Sequence, residues 1–303
     1  MCGMKRARRF AARAYGVASL VAVLLSGIVG ASFIGAGAAL RWEIQPPSDA
    51  ARTERIASGD MVSVTSRDEG PKLAIVLDDC GANMAFARRV ASLDIPMTWA
   101  IIPRLKYSAA TAELLEGAGI PYIVHVPMQA WVDPDGHAGN AKYYYIGAGM
   151  SGRDVRSALT PLLDSFGGAF GVNNHRGSKA TEDLNVMEHV MDVLAERDLF
   201  FLDSRTSSRS VAYDVAVKRG LASARNSFFL DNESDRDEIA RKMASALSSA
   251  KKRGMVVAIC HLRPETVVFL EKFSSEVASG VHKSGVGLVT LPEWAEYAKG
   301  DKR

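Results

Sequence analysis

From Lys72 to near the C-terminus, short apolar runs alternate with amphipathic stretches. The run KLAIVLDD at 72–79 predicts a strand, and the stretch 83–92 a helix. Further strands are predicted at 95–103, 120–128, 168–175, 199–204, 227–232, 254–261 and 286–291. Helices fit 107–118, 152–166, 182–197, 211–219, 235–252 and 264–279, the first of these ended by Gly119. Strand–helix units that recur every 25–45 residues or so, with strands lacking clean alternation, imply parallel strands covered on both faces. Roughly seven or eight such units suit an α/β fold of the (β/α) barrel type, with about seven parallel strands, better than a small open sheet.

Polar residues fall at the C-terminal ends of these strands. Asp78 and Asp79, His125, Asn173 with Asn174 and His175, Asp203, Asp231 and His261 all sit there. In barrels and open α/β sheets alike, that edge is where sites assemble. A single strand-end His or Asp often only caps a helix or fills the core; six strands ending this way point to a site. Two abutting carboxylates repel unless something positive separates their roles, and a divalent cation does so. Asp with two neutral imidazoles and an open position is a catalytic zinc shell in outline. No Gly-rich phosphate loop and no cluster of Arg and Lys is evident at the strand ends, which disfavours a phosphoesterase.

The N-terminus has a different character. Residues 4–13, MKRARRFAAR, carry five positive charges, and no charged residue follows from Ala14 to Leu40. That exceeds the ~20 residues a helix needs to cross a bilayer. Basic residues before the span predict a cytoplasmic N-terminus, with the bulk of the chain beyond the membrane. We read residues 1–41 as a basic stub and an uncleaved transmembrane signal anchor; a cleaved signal peptide is the alternative. Residues 42–71, with Pro-Pro and many small polar residues, read as a flexible linker. The barrel is expected over 72–298, with 299–303 a tail. Residues 1–41 hold six of the 37 Lys and Arg, leaving 31 against 34 Asp and Glu. A mildly acidic body gives no electrostatic support to nucleic-acid binding.

The stretches AIVLDDCG (74–81), HVPMQA (125–130), GVNNHRGSKAT (171–181), FLDSRTSSRS (201–210), FFLDN (228–232) and AICHLRPET (258–266) occur in this order. In them the chain resembles the divergent polysaccharide deacetylases, relatives of the metal-dependent polysaccharide deacetylases. The resemblance implies a deformed (β/α) barrel of about seven strands acting on an envelope glycan or peptidoglycan fragment. It implies that Asp79, His125 and His175 bind a divalent metal, zinc by preference, and that Asp78 is the general base. His261 would protonate the leaving amine, with Asp203 orienting it. Asn173 or Asn174 would order the metal surroundings or the substrate. An envelope substrate and the N-terminal segment together place the body in the periplasm, tethered to the inner membrane.

The chain also departs from the family. Mainstream deacetylases space their two metal histidines four residues apart, whereas His125 and His175 lie on different strands. Arg176 replaces a hydrophobic residue, and Cys260 and Leu262 stand where Gly and Pro usually flank the late histidine. These changes keep open a second reading, a catalytically weak barrel that binds glycan or an envelope protein partner. Trp131 and Tyr144, in the loop 129–151, either stack on sugar rings or pack the loop down; Arg176 is a further substrate contact. Cys80 and Cys260 each adjoin a proposed catalytic residue. A disulfide between them is one reading, and two unpaired residues filling the barrel rim is the other.

Overall fold

The computed structural model describes residues 70–132, 145–280 and 284–300. The predicted anchor and most of the linker lie outside them, as does Tyr144. Among the described residues, no helix is long and apolar enough to cross a membrane.

Nine parallel strands are found among the described residues: β1 (Lys72–Cys80), β2 (Thr98–Ile101), β3 (Tyr122–Met128), β4 (Gly171–Arg176), β5 (Phe200–Asp203), β6 (Ser223–Arg225), β7 (Phe228–Phe229), β8 (Met255–His261) and β9 (Gly287–Val289). Between them run α1 (Met84–Ala91), α2 (Ser108–Ala118), α3 (Gly152–Asp164), α4 (Leu184–Ala195), α5 (Ala212–Lys218), α6 (Arg236–Arg253) and α7 (Pro264–Ala278), followed by α8 (Leu291–Gly300). Helix starts follow local chemistry: Asn83, Ser151, Asp183 and Asp235 accept a backbone N–H from the first turns of α1, α3, α4 and α6. The strand β6 and the helix α8 escape the sequence pattern, being short and without a long apolar run.

The ladders run β6-β5-β4-β3-β2-β1-β8-β7, with β9 against the first residues of β1. This confirms the parallel α/β winding and refines the expected barrel. The sheet is curled, and its two edges belong to one chain segment. Ser223–Arg225 pair with β5 and Phe228–Phe229 with β8, so the segment changes partner at Asn226 and Ser227. There the Asn226 N–H donates to the Asp203 carbonyl and the Ser227 N–H to the Val257 carbonyl.

Alternation along the strands sorts side chains between two layers. Leu73, Ile75, Leu77, Val124, Val126, Val172 and Phe201 join the apolar cluster under α1–α7. Ala74, Val76, Ile123, Leu202, Val257 and Ile259 face the other way, where Leu291 and Ala295 of α8 cover them. That second face carries the site at its C-terminal end. Gly171 opens β4 where a Cβ would lie 2.3 Å from the Phe200 carbonyl oxygen, so only glycine lets β4 and β5 close.

Candidate metal centre and active site

Parity places the site residues. Asp78 continues the face of Ala74 and Val76, His125 that of Ile123, and His261 that of Val257 and Ile259. Asp79 would point outward, but its φ of 60° breaks the alternation. The following Gly81 has φ 111°, and a Cβ there would come within 2.9 Å of Ser108 Oγ. This turn brings both adjacent carboxylates into one site.

Asp79 Oδ1 lies 3.0 Å from His175 Nδ1 and 3.5 Å from His125 Nε2, and the two ring nitrogens are 3.1 Å apart. A tetrahedral shell with bonds of about 2.0–2.1 Å has edges of about 3.3–3.4 Å, so the triangle has the size of one face of such a shell. Asp79 Oδ1 is buried, and neither imidazole meets it in hydrogen-bonding geometry. A buried carboxylate oxygen without a hydrogen-bond donor, facing two imidazole nitrogens, fits a cation. The three donor atoms are grouped within 4.8 Å of one another.

The tautomer of His125 follows from its neighbour. Asn173 Nδ2 donates to Asp78 Oδ1 at 3.0 Å and to Ser204 Oγ at 3.2 Å, which leaves Asn173 Oδ1 as an acceptor. It lies 2.8 Å from His125 Nδ1, so that nitrogen carries the proton. In the neutral imidazole that a cation requires, the lone pair of His125 then resides on Nε2, turned toward His175 and the carboxylates.

Electrostatics separate the two carboxylates. Burial pushes the Asp78 carboxyl above its ordinary range, although His125 and His261 pull it back. Burial would also raise Asp79, but the two imidazoles outweigh it and hold that group far below the usual carboxylate range. Asp78 Oδ2 stays 3.4 Å from His125 Nε2. One carboxylate is thus a committed anion and the other a weaker acid beside it.

His261 stands across the site on β8, paired with Asp78 in the β1–β8 register. Its Nδ1 lies 2.7 Å from Asp231 Oδ1, and its backbone N–H donates to Asp231 Oδ2 at 2.7 Å. Thr266 Oγ1 donates to the same oxygen at 2.6 Å. The Phe229 ring stacks on the imidazole at 6.0 Å and 14°. Burial lowers the His261 pKa, but the Asp231 carboxylate prevails and raises it.

Asp231, then, orients His261, and the expected role of Asp203 is corrected. Asp203 shares the outward parity of Phe201 and is separated from β8 by the β6–β7 segment. It is buried, accepting from the Arg205 N–H and from Ser210 Oγ, both at 2.8 Å. Asn174 has the parity of Val172 and yet lines the cleft: its Oδ1 accepts from the Ser204 N–H, and its Nδ2 donates to the Arg176 carbonyl. Asn173 and Asn174 are both fully buried and bond protein groups. Trp131 is 54% exposed and held by Glu182 and Ser178, and it is not among the described residues that line the cleft.

Cys80 and Cys260 are both free and buried. The register pairs Cys260 with Leu77, three residues before Cys80, and the Cys80 thiol turns back to the Leu77 carbonyl at 3.1 Å. The disulfide reading is therefore set aside in favour of two small residues filling the rim. The triad, Asp78 and His261 open into a cleft of about 460 Å³ that Arg176, Arg205 and Arg263 also line. Arg176 ends β4, whereas Arg205 and Arg263 each lie two residues past the ends of β5 and β8, so no one motif in the sequence displays the group.

The sequence profile of the divergent polysaccharide deacetylase family matches residues 75–294. An uncharacterized protein of Haemophilus influenzae is 32% identical over 216 residues, covering 71% of this chain and 75% of its own length. The uncharacterized protein YibQ of Escherichia coli K12 is 26% identical over 221 residues, covering 73% of this chain and 68% of its own. Among solved structures, the uncharacterized protein ATU2773 of Agrobacterium tumefaciens C58 superposes with a TM-score of 0.63 at 20% identity, over 74% of this chain and 88% of its own. That last likeness concerns the fold.

Proposed function

Since the chain belongs to the divergent polysaccharide deacetylase family, we propose that it removes acyl groups, N-acetyl foremost, from an envelope polysaccharide or peptidoglycan fragment. The observation that carries this reading is the convergence of Asp79, His125 and His175 with Asp78 and the His261–Asp231 pair in one cleft. Two imidazoles and a carboxylate suit zinc, which when bound supplies a Lewis acid for the acyl carbonyl and for water.

The remaining roles belong to the chain. Asn173 holds the Asp78 Oδ1, leaving Oδ2 to accept the proton of the attacking water. The His261 Nδ1 is engaged by Asp231, so Nε2 is the atom that hands a proton to the leaving amine. Phe229 fixes the plane of that ring. Water is thereby divided between acetate and the freed amine. A carboxylate-buttressed imidazole facing the buried base weighs against the binding-only alternative. The apolar run at 14–40 behind its basic stub supports an inner-membrane anchor with the body in the periplasm.

The test is acetate release from chitooligosaccharides and peptidoglycan fragments by purified, zinc-loaded protein. Failure to deacylate any glycan while metal is bound would refute the reading.

A further inference from the structure

Three arginines reach the cleft from different strand ends: Arg176 closes β4, Arg205 follows β5, and Arg263 follows β8. Two of them adopt left-handed backbone, Arg176 with φ 56° and Arg205 with φ 53°. Non-glycine residues hold such conformations only where the surroundings impose them. For Arg205 the surroundings are visible. The buried Asp203 accepts its backbone N–H, and Ser210 Oγ occupies the other carboxylate oxygen. For Arg263, Nη1 donates to the Asp231 carbonyl at 3.2 Å. A buried strand-end aspartate thus braces the backbone at Arg205, and the main chain of another anchors the Arg263 guanidinium.

The charges around them do not cancel. Asp78 and Asp79 are the acidic residues among those lining the cleft, and a divalent cation held by the triad balances both. His261 is matched by Asp231. Arg205, whose charge the buried Asp203 behind it partly offsets, and Arg263 then leave the mouth positive, in a body whose remaining charge is mildly acidic. Guanidinium forks favour carboxylate and phosphate oxygens.

We propose that the cleft selects acylated saccharides that bear a negative charge, a carboxylate or a phosphate, recognised by Arg205 and Arg263 with Arg176 alongside. This rests on the deacetylase reading and narrows its substrate class. It also gives Asp203 a purpose, in bracing the backbone from which Arg205 projects.

The full-length protein, zinc-loaded and zinc-free, is titrated calorimetrically with three probes. These are a disaccharide containing N-acetylmuramic acid, N-acetylglucosamine 6-phosphate, and neutral N,N′-diacetylchitobiose. At low salt at least one acidic probe is expected to bind about tenfold more tightly than the neutral one, a preference that added salt erodes. Whichever acidic probe is preferred identifies the charged group. Arg205→Ala and Arg263→Ala should each reduce acidic binding about three- to tenfold and leave neutral binding unchanged. Equal affinity for acidic and neutral probes, equal loss of both in the variants, or no binding of any probe would overturn the proposal. Acetate release from the neutral sugar without acidic preference would overturn it and leave deacetylation standing. Arginine-dependent acidic binding with no acetate from any sugar would support it while refuting deacetylation.

Discussion

Asn173 Oδ1 lies 2.8 Å from His125 Nδ1, and the two residues are direct partners in the β3–β4 ladder. The same amide donates to Asp78 Oδ1. One buried side chain therefore fixes the tautomer of the proposed metal-ligating imidazole and the orientation of the proposed base, and its removal touches both.

Asn173→Ala leaves a buried imidazole N–H and a buried carboxylate oxygen without partners, at a cost of about 1–3 kcal/mol in stability. Zinc affinity should fall about 10–100-fold. Denaturant unfolding measures the first and competitive zinc titration the second. An unchanged zinc affinity would show that Asn173 does not order the ligand.

Asp231 holds the His261 pKa above its ordinary 6.5 against the effect of burial. Acid catalysis by His261 should therefore persist above that value and fall as pH rises through the raised pKa. Asp231→Asn removes the anion, so the descending limb of the pH–rate profile moves to lower pH. The sign is the same for stability. The protonated histidine's contribution is complete below its unfolded pKa and disappears as pH rises through the folded one. The contribution of Asp231, whose pKa the pair lowers despite burial, is lost instead as pH falls through its folded pKa. A limb that does not move in Asp231→Asn would remove His261 from the acid role.

Asp203→Ala should act differently, because its carboxylate braces the chain after β5 rather than the imidazole. The Arg205 N–H and Ser210 Oγ lose a buried acceptor, at a cost of about 1–3 kcal/mol. The pH of the descending limb should stay where it is. A displaced limb in this variant would restore the role that the sequence reading gave Asp203.

Free thiols at Cys80 and Cys260 predict that unfolding under non-reducing conditions, followed by alkylation, modifies both residues in the mass spectrum. A reductant should leave the unfolding midpoint unchanged. A pair of unmodified cysteines would reinstate the bridge.

Much of this was legible because parallel strands gather their C-terminal ends on one edge. Asp78, Asp79, His125, His175 and His261 could be placed together from the apolar runs that precede them. What the runs do not disclose is strand order. The partner of His261 depends on β7 lying beside β8, and β7 is only Phe228–Phe229, reached after the chain changes sheet edge at Asn226 and Ser227. Strand parity carries part of the rest. Phe201 and Asp203 share one face and Leu202 the other, which turns Asp203 outward; the same count separates Asn173 from Asn174. Asp79 shows the limit of counting, since its φ of 60° brings it inward against the alternation. Register decides the cysteines, for Cys80 extends past the β8 partner that sequence adjacency implied.

The central claim is that Asp79, His125 and His175 hold a catalytic cation. Elemental analysis of the protein after dialysis against metal-limited, non-chelating buffer at neutral pH tests it most directly, with His125→Ala compared alongside. One zinc per chain in the wild type and none in the folded variant is the predicted result. A wild type without metal, or a variant that retains as much, would contradict it.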